Sequence, residues 1–263
     1  MSFNGFKIKD FNYLCETISN SHNKTYSLKQ YFEQLPERNF IIVRHDVDYN
    51  IDSAIKIAEI ESRYGINSTY YIRLNKKTKP EKILKLKSLS SEIGLHYDAL
   101  ANAKGNVKKA SSIFKRQLDF LNSIIDVKTI SAHGSSIKKS RNTDLIKERN
   151  LQEYNLIGDA MISVNFKVLP YYTDAGRTWN LEKNKLNDFP STMPKNYKYI
   201  NNTYDLCSLI QQQHYSCIYL SSHPELWANN TYFDILKEVQ YGKTRFLIKK
   251  ILNFITKNIS NQN

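Results

Sequence analysis

The sequence predicts an α/β fold, an irregular (distorted) β/α barrel of about seven parallel strands in a single domain. Three observations predict it. Short apolar, β-rich runs alternate with amphipathic stretches, a pattern that implies a parallel sheet with helical crossovers. Chemically active side chains fall at the ends of successive runs, and a parallel barrel gathers those ends on one face. The chain has neither G-x-G-x-x-G nor a phosphate-binding loop ending in Lys-Ser/Thr, so nucleotide-binding folds lose their main sign. A closed or nearly closed barrel fits the strand count.

The elements follow in order. Residues 40–47 form a strand that opens on Phe40-Ile41-Ile42-Val43 and runs into Arg44-His45-Asp46-Val47-Asp48. Residues 51–64 form a helix with apolar positions at Ile51, Ala54, Ile55, Ala58 and Ile60, ending before Gly65. The aromatic stretch 68–74 is a second strand, 81–88 a short helix and 93–97 a third strand. A long helix at 107–125 places Ile113, Phe114, Leu118, Leu121 and Ile125 on one stripe, and 127–132 is a fourth strand. Residues 156–161 and 167–172 read as further strands, 181–199 as a Lys/Asn/Pro-rich excursion, 204–213 as a helix and 217–220 as a late strand. Residues 231–259 are helical, and the stripe Leu247, Ile248, Ile251, Leu252 and Ile255 is expected to dock on the domain, with weak membrane-surface association as the other use. Residues 1–38 and 231–263 read as an N-terminal extension and C-terminal helices packed on the barrel.

The composition excludes several classes. Hydrophobic residues make up 41% and charged residues 24% of 263, with only 8 Gly and 6 Pro, which is globular and not disordered. Cys15, Cys207 and Cys217 have no C-x-x-C spacing, so buried, reduced thiols are expected rather than a zinc knuckle or a disulfide framework. The first ten residues lack the apolar core and cleavage site of a signal peptide, and no stretch is long and apolar enough to span a bilayer; a cytoplasmic protein is expected. The net charge of +13 comes largely from scattered lysines, as in Lys76-Lys77 and Lys138-Lys139. No dense basic run interleaved with aromatics and no nucleic-acid reader motif is present, so no nucleic-acid partner is expected.

The decisive pattern is the position of the polar residues. Asp46 and Asp48 end the first strand and project from the same side of an extended chain. Carboxylates this close repel unless a cation or a proton lies between them. His96 ends the third strand, His133 the fourth and His223 the last, while Asp174 and Arg177 follow the Tyr171-Tyr172 strand. Each alone has a structural reading as a cap, a turn or a surface ion pair. Their coincidence at successive strand ends is what points to a site. One Asp and two His with an open position suit a catalytic zinc or a related divalent ion. His22 and His214 read as structural.

Five segments carry a family resemblance: Arg44-His45-Asp46-Val47-Asp48, Glu92-Ile93-Gly94-Leu95-His96-Tyr97, Ala132-His133-Gly134, the seven residues from Thr173 to Trp179, and Ser222-His223-Pro224-Glu225-Leu226-Trp227. In this order they resemble the polysaccharide deacetylase (NodB-type) family, closest to its intracellular branch associated with surface-polysaccharide biosynthesis. The resemblance implies an irregular β/α barrel that removes N-acyl groups from sugars with a divalent metal. It assigns Asp46 as general base, Asp48 as the metal-binding carboxylate, His96 as a histidine ligand and His223 as the acid that protonates the leaving amine. Arg177 resembles the arginine that steadies the base, and Asp174 the acid that supports the histidine. Where better-known members carry a second histidine four residues after the first, this chain has Leu100; His133 is the best-placed substitute, with Asp98 behind it. Tyr97, Tyr171, Tyr172, Trp179 and Trp227 are expected to line a sugar-stacking pocket. The expected substrate is an N-acylated sugar, nucleotide- or lipid-linked, and the alternative is a catalytically inactive carbohydrate-binding relative.

Overall fold

The computed structural model describes residues 5–134, 141–180, 190 and 192–228. The expected excursion at 181–199 lies partly, and the C-terminal helices at 231–259 wholly, outside them. In chain order the elements are α1 (Ile8–Ser19), β1 (Lys24–Tyr26), α2 (Leu28–Gln34), β2 (Phe40–Val47), α3 (Ile51–Arg63), β3 (Thr69–Ile72), α4 (Pro80–Leu89), β4 (Glu92–Tyr97), α5 (Ala99–Asn102) and α6 (Val107–Asn122). There follow β5 (Thr129–Ala132), β6 (Gly158–Asp159), β7 (Tyr171–Thr173), α7 (Thr203–Gln211), β8 (Cys217–Ser222) and α8 (Pro224–Ala228).

Seven strands form one sheet in the order β6-β5-β4-β3-β2-β8-β7, and β1 lies beside the start of β2. Every pairing is parallel. The sheet curls into a half-barrel with β6 and β7 at its edges. All seven expected strands are present. The residues expected to form an N-terminal extension do more than pack on the barrel: β1 joins the sheet, and α2 closes its lower end. Three residues, Lys24-Thr25-Tyr26, are too few to show an alternation, which is why β1 is silent in the sequence. Among the described residues no helix is long and apolar enough to cross a membrane.

Strand parity divides the interior in two, because successive side chains point to opposite faces. On β2, Ile41, Val43 and Val47 join the layer between sheet and helices, with Tyr70, Ile72, Ile93, Leu95, Tyr97, Ile130, Tyr172, Ile218 and Leu220 from the neighbouring strands. The alternate residues Phe40 and Ile42 fill the concave side with Tyr71, Tyr171 and Tyr219. Gly94 lies on this side, where any Cβ would collide with the Tyr71 ring and the Thr129 carbonyl. The absence of a side chain there lets the ring lie flat inside the curl.

The lower end of the concave side is sealed by hydrogen bonds. Ser27 and Gln30 cap α2 reciprocally, and the first N–H groups of that helix point inward: Leu28 N donates to Thr69 Oγ1 at 2.7 Å and Lys29 N to Glu92 Oε2 at 2.8 Å. Glu92 also accepts from Thr69 Oγ1 at 2.7 Å and Thr129 Oγ1 at 2.5 Å. Cys15 and Cys207 are buried free thiols as expected, whereas Cys217, at the first position of β8, is only half-buried.

Candidate metal centre

The concave column continues upward from the apolar floor. Above Phe40 and Ile42 on β2 come Arg44 and Asp46, and Asp48 follows as the chain leaves the strand. The same parity puts His96 of β4 and Ser131 of β5 on this side, opposite each other in the β4–β5 register. His133 extends the β5 line by one further ladder bond, its N–H donating to the Tyr97 carbonyl at 2.8 Å. Asn142 Nδ2 holds the His133 carbonyl at 2.6 Å. Asp48 is delivered by a sharp exit: Asn50 caps α3 through Asp52 N, so the chain turns within two residues of the carboxylate.

Asp48, His96 and His133 thereby form a group that could hold a metal ion, one ligand atom from each lying within 4.8 Å of the others. Asp48 Oδ1 is 3.3 Å from His133 Nε2 and 3.6 Å from His96 Nε2. Ligand atoms about 2.1 Å from a tetrahedral zinc lie about 3.4 Å from one another, so both separations suit one shared cation. The tautomer of His96 supports the fit. Its Nδ1 faces the Ser131 carbonyl at 3.2 Å, and a carbonyl only accepts, so Nδ1 carries the hydrogen. In the neutral ring Nε2 then turns a lone pair toward Asp48 Oδ1. Two acceptors facing each other need a cation or a proton between them. Asp48 Oδ1 is itself buried without a hydrogen-bond partner. Burial opposes the charge of Asp48, and the His133 and His96 imidazoles outweigh it, holding the carboxyl well below its usual range.

Two supported groups flank this centre. Asp46 Oδ2 lies 3.9 Å from His96 Nε2. Arg44 clamps Asp46 from below, with Nε on Oδ1 at 2.8 Å and Nη2 on Oδ2 at 2.6 Å. Arg44 is buried, bonds Ser131 Oγ at 2.6 Å and lies over the Tyr71 ring at 5.6 Å. Burial raises the pKa of Asp46, but the Arg44 charge and hydrogen bonds turn the balance downward, so Asp46 is an ionised carboxylate. On the other side His223 Nδ1 meets Asp174 Oδ1 at 2.7 Å. Asp174 is fully buried and also accepts from His223 N, from Ser222 Oγ at 2.9 Å and from Trp227 Nε1 at 2.6 Å. Burial disfavours the imidazolium, yet the bond and charge of Asp174, with Asp48 and Asp46 behind them, push the His223 pKa up to about 10.

The remaining sequence expectations fare differently. Asp174 supports His223 as anticipated. The guanidinium found on Asp46 is that of Arg44, two residues upstream on the same face; Arg177, expected there, sends Nη2 to the Leu226 carbonyl at 3.0 Å and adopts φ 60°. Asp98 is engaged by Arg73 and by Asn102, each at 2.7 Å, and is not among the three ligand atoms. Leu100, where a second histidine was looked for, is buried in the core on α5.

The sugar-stacking reading of Tyr97, Tyr171, Tyr172, Trp179 and Trp227 is corrected by burial: all five are at most 3% exposed. Tyr97 and Tyr172 have the wrong parity and face the helices, Tyr97 against Phe114 at 5.3 Å. Tyr171 packs among Phe166 and Tyr219 in the floor. Trp179 and Trp227 stack around Phe6, and the Trp227 indole serves Asp174. Residues not singled out by sequence reasoning include Ser131, which orients both Arg44 and His96, and Glu225. Glu225 is 1% exposed and its Oε1 accepts from Tyr49 N and Asn50 N, both at 3.0 Å. Burial and then the charge of Asp48 raise its pKa to about 7.

Compared with known protein families and with curated proteins, the chain matches none.

Proposed function

We propose that the protein is a metal-dependent hydrolase that removes an N-acyl group, acetyl or similar, from a sugar or sugar-linked precursor. The observation that carries the reading is a single mouth on which three metal-ligand atoms stand between a clamped carboxylate and a carboxylate-backed histidine. The likeness of five ordered motifs to the polysaccharide deacetylases supplies the substrate class and the setting of surface-polysaccharide biosynthesis. Zinc is the cation that best suits one carboxylate and two imidazoles.

Asp48, His96 and His133 would hold the ion, which when bound would polarise the acyl carbonyl and acidify the attacking water. Asp46 takes the proton of that water, at Oδ2, the oxygen nearer the ligands. Arg44 keeps Asp46 ionised and fixes its orientation, so the base is ready before the substrate arrives. As water adds to the acyl carbon and the carbon–nitrogen bond breaks, the departing amine must gain a proton. His223 gives it from Nε2, because Nδ1 is committed to Asp174. The raised pKa keeps that nitrogen protonated at neutral pH. Products are the free carboxylic acid and the amino sugar.

The test is acyl release from a panel of N-acetylated sugars, free and nucleotide-linked, by zinc-loaded protein. Acetate release by the wild type that disappears in Asp46→Asn, while metal content is retained, is the expected result. Sugar binding without acetate release would replace this reading with that of a carbohydrate-binding relative.

A further inference from the structure

Glu225 is none of the ligands, the base or the acid, yet from the turn after His223 it reaches the backbone of the turn after Asp48. It lies two residues after His223, in the first turn of α8. Its carboxylate accepts the N–H groups of Tyr49 and Asn50, the two residues that follow Asp48, at 3.0 Å each. The partners are 176 and 175 residues away in the chain, so this is a tertiary bond between the exit of β2 and the exit of β8. The side chain is almost fully buried, and Oε2 has no hydrogen-bond partner. A buried carboxylate left half-satisfied costs stability. Fold stability alone therefore gives little reason for a carboxylate there, whereas a pair of backbone N–H groups that converge on one fixed acceptor oxygen, Oε1, gives one.

Resting on the metal centre proposed above, we infer that Glu225 is a positioning residue: it locks the turn after Asp48 to the loop that carries His223, and so sets both the direction of the Asp48 carboxylate and its distance from the proton donor. Through the Tyr49 and Asn50 amides it stops the exit turn from rotating, and rotation there would swing Asp48 Oδ1 away from the two imidazoles. The device explains how a ligand at the end of a strand, only partly covered by its surroundings, is held to a separation suited to one cation.

Cobalt(II) titration of the metal-free full chain, read by visible absorption and by thermal unfolding without metal, tests this. Glu225→Gln keeps the acceptor oxygen and the length, and is expected to bind cobalt nearly as tightly as the wild type. Glu225→Ala and Glu225→Asp remove or withdraw the acceptor, and are expected to weaken cobalt binding about 10- to 100-fold, as loss of an outer-shell partner does, with a cooperative metal-free unfolding transition showing that the Asp variant is folded at the titration temperature. If Glu225→Ala does not fold, the Gln and Asp pair decides. Wild-type affinity in Glu225→Asp overturns the inference, and so does a Gln variant as weak as the Asp variant, since charge and not anchoring would then be the cause. A wild-type chain that takes up no cobalt overturns the metal centre itself, which is a separate and recognisable failure.

Discussion

The two ends of the concave column hold carboxylates in opposite states. At the floor, Glu92 accepts three hydrogen bonds, from Lys29 N, Thr69 Oγ1 and Thr129 Oγ1, and nothing further is asked of it. At the mouth, Asp48 Oδ1 is buried with no hydrogen-bond partner, 3.3 and 3.6 Å from two imidazole nitrogens, too far for good hydrogen bonds. Both carboxylates suffer desolvation. The floor meets it in part with backbone and threonine donors, and burial still raises the Glu92 carboxyl above its ordinary value. The mouth meets it with the two imidazoles, at separations that suit one shared cation. A satisfied buried acid belongs to the fold; an unsatisfied carboxylate oxygen flanked by two histidines could hold a metal ion.

The contrast makes predictions of graded size. The largest concerns chemistry: Asp46→Asn should lower turnover on an N-acetylated sugar by about 10²- to 10⁴-fold, the usual worth of a positioned general base, with metal content unchanged. Next comes stability. Glu92→Ala strands three donors in the floor and should lower the unfolding free energy by about 3 kcal/mol, read from the urea midpoint. Asp48→Asn, measured in the same way without metal, strands no donor and loses only the attraction of the two imidazoles, so it should cost about 1 kcal/mol, well below the loss at Glu92. A loss at Asp48 as large as that at Glu92 would erase the distinction between floor and mouth.

A smaller effect concerns pH. The folded pKa of His223, about 10, lies above its ordinary 6.5, so the ring binds its proton more tightly in the folded state. The stability this supplies is complete below about pH 6.5 and is lost as pH rises toward 10. Asp174→Asn should flatten the fall between those limits, by about 2 kcal/mol at neutral pH, followed by denaturant melts across the range. The smallest effect belongs to Trp227→Phe, which keeps an aromatic ring beside Phe6 and deletes the indole bonds to Asp174 and Ser222. About 1 kcal/mol should be lost, and a His223 titration followed by NMR should show a modest shift.

Much of this architecture is legible in the residues themselves. The seven strands are readable because each is a compact apolar or aromatic run, and helices α3, α4, α6 and α7 because their apolar stripes recur at helical spacing. Helix α1 carries the same signal, with Phe11, Leu14, Cys15 and Ile18 buried on one face, within the residues read only as an N-terminal extension. The metal group was legible because Asp48, His96 and His133 sit at strand ends. Two of the aromatic assignments, Tyr97 and Tyr172, failed against a rule the sequence already contained: once His96 faces inward, Tyr97 must face outward. The same alternation would have paired Arg44 with Asp46. Glu225 had no sequence signal at all, since its partners are main-chain amides brought close only by the fold.

The central claim is one cation shared by Asp48, His96 and His133. Zinc content, measured on protein grown in metal-replete medium and dialysed against metal-free buffer, tests it most directly when wild type and Asp48→Ala are compared. One equivalent per wild-type chain and almost none in the folded Asp48→Ala variant is the predicted result. A wild-type chain without zinc or any other divalent ion, or an Asp48→Ala variant that keeps its full equivalent, would contradict it.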